Sequence, residues 1–136
     1  MKRTIATLFA LAGLAGGAEA ADYASYETAS ACANTGVLTH ITQRFDERAL
    51  TYLKAPIAIA EIRHMSLNRL ELRDATHPVE REYCQATALT SDGQHRTLWY
   101  LIERNWGFAG MGENVEFCLS GLDPWHVYGA HCKSLR

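Results

Sequence analysis

Residues 79–104 read VEREYCQATALTSDGQHRTLWYLIER, and this stretch decides the fold. Two runs of β-type residues flank Ser91-Asp92-Gly93-Gln94. Asp-Gly readily takes up the positive φ angles of a tight turn, so the stretch predicts an antiparallel hairpin. In its first arm Val79, Arg81, Tyr83, Thr87 and Leu89 fall on one face, and Cys84, Ala86 and Ala88 on the other. The second arm, TLWYLIER at 97–104, is rich in aromatic and branched residues that suit a central strand. A tight turn at Asp92-Gly93 sets Cys84 near Leu101.

Working outward, Asn105-Trp106-Gly107-Phe108-Ala109-Gly110-Met111-Gly112 forms a Gly-rich loop, and 114–120 returns as a strand. Gly121-Leu122-Asp123-Pro124 is a turn, and 125–132 reads as a last edge strand. Upstream of the hairpin, Asp74-Ala75-Thr76-His77-Pro78 is a turn. Before it, 57–64 and 67–73 are one bulged strand or two short ones, because Ser66-Leu67-Asn68 breaks the alternation. Earlier still the period changes. Val37, Leu38, Ile41, Phe45, Ala49, Tyr52 and Leu53 recur at helical spacing, with Gln43, Arg44, Asp46, Glu47 and Arg48 on the opposite side. Asn34 or Thr35 can cap the start, and Pro56 lacks the donor a continuing helix needs, which predicts a helix over 35–54. The fold class expected is α+β: one N-terminal amphipathic helix packed on a four- to five-stranded antiparallel meander, stabilised by disulfides.

The chain begins with Lys2 and Arg3, an apolar run over 5–15, and Ala18-Glu19-Ala20 before Ala21. A basic start, a short apolar run and small residues at the −3 and −1 positions describe a secretory signal peptide over 1–20. The run is too short to span a bilayer, which takes about 20 apolar residues. Cleavage leaves one domain over 21–136, whose first part, 21–33, is expected as a flexible arm tied down by Cys32. The mature chain is expected in the periplasm or outside the cell.

With 13 basic and 15 acidic side chains the whole chain is slightly acidic, and loss of Lys2, Arg3 and Glu19 keeps it so. That balance supplies no basic face with which to displace phosphate counterions, so nucleic acid is not an expected partner. No further apolar run approaches spanning length, so no membrane span is expected.

Cys32, Cys84, Cys118 and Cys132 all follow the cleavage point, in the part delivered to an oxidising compartment. Four cysteines allow three pairings. No C-x-x-C pair is present to favour zinc. In a meander Cys84 and Cys118 stand two strands apart, about 9–10 Å, which is beyond disulfide reach. Cys32 must then cross to the sheet, and the arrangement leans to Cys32–Cys84 with Cys118–Cys132.

The second half carries Arg81-Glu82-Tyr83-Cys84, Asp92-Gly93, Tyr100-Leu101-Ile102-Glu103, Gly107-Phe108, Val115-Glu116-Phe117-Cys118 and Gly121-Leu122-Asp123-Pro124-Trp125. In these segments it resembles small exported alphaproteobacterial proteins of uncharacterised function. The resemblance implies a bacterial envelope location and carries over no catalytic residue.

Three groups of residues hold the chemistry this sequence offers. Neutral imidazole ligates zinc, copper or haem iron, and His126 and His131 lie five apart. On a regular strand that spacing points them to opposite faces, and no C-x-x-C-H haem motif is present. Glu103 and Glu116 sit on consecutive strands, where two carboxylates could do acid–base work on a glycoside. Arg69, Arg73, Arg81 and Arg104 are numerous enough to neutralise them instead. Trp106, Phe108 and Met111 stand among glycines in the 105–112 loop, and aromatic groups on a loop supply large contact areas. Trp125, Val127 and Tyr128 could extend such a patch or divide between core and solvent.

The reading that follows is an exported, non-enzymatic binding or envelope protein that needs no cofactor. Its contact residues are Trp106, Phe108 and Met111, and its partner is an envelope or secreted protein. The alternatives are a small envelope hydrolase using Glu103 or Glu116, and a periplasmic haem or metal carrier using His126 or His131.

Overall fold

A computed structural model describes residues 30–104 and 113–136. Four antiparallel strands form an open sheet in sequence order: β1 (Ile59–Glu71), β2 (Glu80–Thr90), β3 (His95–Arg104) and β4 (Glu113–Leu119). One α-helix, α1 (Thr35–Arg48), precedes them and shares a core with the sheet. This is an α+β arrangement held by the disulfides Cys32–Cys84 and Cys118–Cys132. The pairing is the one that strand spacing favours.

The hairpin register differs by one residue from the tight turn expected at Asp92-Gly93. Cys84 lies opposite Tyr100, which in turn lies opposite Phe117. A two-residue turn would pair Ser91 with Gln94. Instead the Thr90 amide donates to the Gln94 carbonyl at 3.0 Å, and Ser91-Asp92-Gly93 forms a three-residue loop. Gly93 at φ 78° supplies the left-handed residue that such a loop needs at its bulge.

The helix-facing side of the sheet alternates small and large groups across the central pair. Cys84 and Ala86 on β2 oppose Tyr100 and Leu98 on β3, and all four are buried. Val37, Ile41 and Phe45 of α1 close this core from above. Asn34 caps the helix, its Oδ1 accepting from the Gly36 amide at 2.8 Å and the Val37 amide at 3.3 Å. The helix predicted over 35–54 changes character near its end: Ala49–Leu53 is a π-helical turn, closed by Lys54 at φ 53°. The wider turn carries the buried stripe from Ala49 to Leu53, leaving Tyr52 63% exposed. Of the expected arm, Ser30 caps a 3₁₀ turn at Ala31–Ala33, and residues 21–29 lie outside the described part.

β1 is one strand, with register shifts at three places, one of them around His64, whose φ is 55°. Bulges and the exposed Arg63 and Arg69 suit an edge strand, since both interrupt a surface that could pair with another chain. The last edge strand expected over 125–132 does not form. His126, His131 and Cys132 all have left-handed φ, between 52° and 58°, which a strand cannot hold. The segment instead crosses the outer face of the sheet. There the Cys118–Cys132 bond anchors a kinked 3₁₀ segment, Ala130–Leu135, whose Leu135 is buried with Tyr83 and Leu101.

The hairpin loop is also a pH-sensitive element. Asp92 accepts from the Thr90 hydroxyl, from Arg96 at 2.8 Å and from the Gln94 amide at 3.2 Å. The Thr90 hydrogen bond first, and then Arg96, hold its carboxyl down at about 2. A folded-state value below the unfolded one stabilises the fold above the unfolded value, near pH 4, and that stability is lost as pH falls toward 2. Asp92→Asn should therefore flatten the fall in Tm between roughly pH 4 and pH 2. Melting curves that fall in parallel for both proteins would contradict this role.

Candidate functional site

The carboxylates named by the sequence both lie on the outer face, and Glu103 is ion-paired there. Glu103 is buried; its Oε1 accepts from Arg81 at 2.9 Å and its Oε2 from Asn114 at 3.0 Å. Both oxygens are thus engaged in cross-strand contacts. Glu116 lies on the same face, opposite Leu101. Arg104 bridges the far side of the sheet end, reaching Glu82 at 2.9 Å and Glu80 at 3.2 Å.

Glu82 is the buried acid that sequence reading passed over. It accepts from the Ala31 amide at 2.8 Å and so ties the 3₁₀ turn to β2 beside the Cys32–Cys84 bond. The Tyr100 hydroxyl donates to the Cys32 carbonyl at 2.6 Å, and burial with nearby Glu82 raises that phenol well above its ordinary range. Cys32, Glu82 and Cys84 approach one another closely enough to suit a metal. With the two sulfurs bonded to each other, thiolate ligation there is closed.

His126 and His131 are both exposed and belong to separate backbone turns. Trp106, Phe108 and Met111 lie outside the described residues.

The structure assembles a different surface. Where α1 passes into its π-helical turn, Phe45, Arg48, Tyr52 and Leu53 form one wall of a groove. Phe117 and Leu119 of β4 contribute with Leu122, and the segment after β4 supplies Trp125 and Val127 opposite. The groove's volume is about 370 Å³, within the range of small-ligand sites. Three large groups stand open to solvent around it: Tyr52 at 63%, Trp125 at 63% and Val127 at 70% exposure.

The groove's walls are positioned by local chemistry. Asp123 receives the Val127 amide on Oδ1 at 3.0 Å and the Tyr128 amide on Oδ2 at 3.2 Å, which fixes the turn that presents Trp125. Arg48 lies over the ring of Phe117, 4.4 Å from its centroid, so a cation is held against an apolar wall. Among the described residues Arg48 has no carboxylate within ion-pair distance. Tyr128 lines the groove too; burial and then Glu116 raise its hydroxyl, with Arg48 opposing them. The groove can therefore supply apolar contact area and the Arg48 charge, alongside an Asp123 carboxylate whose oxygens are taken up by backbone amides.

Helical periodicity assigned Tyr52 to the buried stripe and could not reveal the π-helical turn that releases it. Trp125, Val127 and Tyr128 do divide: the first two are exposed, while Tyr128 is half-buried against the outer cluster. Arg48 carried no sequence signal beyond its place on the polar side of the helix. No family model, curated protein or solved structure matches this chain.

Proposed function

We propose that this chain is an exported, non-enzymatic binding protein whose ligand sits in the groove between the end of α1 and the segment after β4. The observation that carries this reading is the set Tyr52, Trp125 and Val127, large apolar groups left exposed around a preformed cavity. Contiguous exposed apolar surface is costly to keep and commonly marks a site of interaction. Two disulfides are compatible with export, as is the signal-like segment over 1–20. Among the described residues no helix is long and apolar enough to cross a membrane. The hydrolase reading has less support, since Glu103 spends both oxygens on Arg81 and Asn114.

The test compares the tagged protein with a Tyr52→Ser/Trp125→Ser variant in pull-downs from bacterial envelope extract. Both positions are exposed, so the Tm should stay within a few degrees, because surface changes typically cost within about 0.5 kcal/mol. Wild type should retain material that the variant loses, and its intact mass should correspond to a chain starting at Ala21. Equal retention by both proteins would overturn the assignment of the groove. A mass that includes residues 1–20 would overturn export.

A further inference from the structure

Resting on the groove as the binding site, we infer that its ligand is a single-chain amphiphile with an anionic head, its tail in the cavity and its head on Arg48. The walls are apolar, the volume is about 370 Å³, and the polar lining groups are few. Asp123 has both oxygens committed to backbone amides and holds the loop. Arg48 is the contrast. Its guanidinium carries five donors, has no carboxylate partner among the described residues, and is held over Phe117 inside the groove. A planar, permanently charged fork of this kind matches a carboxylate or phosphate in two-point contact.

The same inventory disfavours an extended peptide. A peptide brings an N–H and a C=O at every residue, and burying them without partners is costly. The lining side chains offer polar partners only at Arg48, Asp123, Tyr52, Tyr128 and the indole N–H of Trp125. An acyl chain makes no such demand, and its methylenes gain by leaving water. One cation and a cavity of this size suit a free monomer, whereas a membrane surface would call for a cluster of basic groups. The chain's net charge of −2 points the same way.

Titration of the mature protein with dodecanoate, below its micelle concentration, tests the inference by NMR, read at the Trp125 indole N–H and the amides around Arg48. Saturable shifts there are expected. Dodecyltrimethylammonium and dodecyl maltoside should bind at least about tenfold more weakly, the scale of one charge-assisted hydrogen bond. Arg48→Gln should weaken dodecanoate about tenfold and leave the other two unchanged, with Arg48→Lys recovering part of the loss. If all three probes bind the groove equally, the head-group assignment fails while the groove stands as a binding site. If dodecanoate leaves the Trp125 signal unmoved, the amphiphile is refuted, and the pull-down alone then judges the groove. Binding only to phosphatidylglycerol vesicles, or groove shifts that grow with protein concentration alone, would assign the surface to a membrane or to a second copy and overturn the inference.

Discussion

Replacing Cys32 and Cys84 together with Ala should lower stability by about 4 kcal/mol, the chain-entropy value for a closed loop of this length. The bond joins residues 52 apart, and both sulfurs are buried, Cys84 completely. It also holds other contacts in place. The turn at Ala31–Ala33 sends its Ala31 amide to Glu82 and its Cys32 carbonyl to Tyr100, and a released turn gives up both. For a domain of this size the Tm should fall by roughly 15–20 °C. The Cys118–Cys132 bond closes a shorter loop, with a separation of 14, so Cys118→Ala/Cys132→Ala should lose about 3 kcal/mol. Thermal melts followed by near-UV circular dichroism decide the matter. A loss under about 1 kcal/mol for the first variant would mean that the unfolded chain is already restricted without the bond.

Ile41→Ala should cost about 3–4 kcal/mol, within the span seen for large-to-small changes in packed interiors. Ile41 sits mid-helix, completely buried, in the same core as Leu98, Tyr100 and Phe117. Truncation removes a side chain there and leaves a cavity that the sheet cannot close, because Tyr100 is pinned by its hydroxyl to the Cys32 carbonyl. Leu50 lies on the π-helical turn, is 64% exposed, and serves as the internal control. Leu50→Ala should change stability by no more than about 0.5 kcal/mol. Urea midpoints at constant m-value measure both. Equal losses would mean that α1 is not held to the sheet through this face.

The two predictions concern features that differ in how far local sequence reveals them. Ile41 and its helical neighbours Val37 and Phe45 are legible because burial of one helix face leaves a 3.6-residue rhythm. Alternation in 79–90, with Ala86 and Ala88 on the face of Cys84, is legible for the same reason with a period of two. The disulfide partners could be argued only by first assuming the meander, since strand spacing is what separates Cys84 from Cys118.

Register was harder. A one-residue difference in loop length moves Cys84 from Leu101 to Tyr100, and Asp-Gly fits both the two-residue and the three-residue loop. Glu82 was passed over for a related reason. Alternation sets it on the helix-facing side, but nothing local announces that a backbone amide from residue 31 and the guanidinium of Arg104 meet there.

By itself, then, the amino-acid order determined where the helix begins, which strands form the central hairpin, and that four cysteines follow a signal-like start. These depend on nearest neighbours, on periodicity and on capping, all of which act within a few residues. Tertiary structure alone decided the rest. The last segment turns across the outer face because its disulfide and the cap at Asp123 outweigh the β tendency of Trp125, Val127 and Tyr128. Tyr52 becomes exposed because the helix widens at Ala49, and the groove exists only where that turn, β4 and the crossing segment converge. Such a site joins residues some 70 positions apart in the chain, and no pattern confined to one element can encode it.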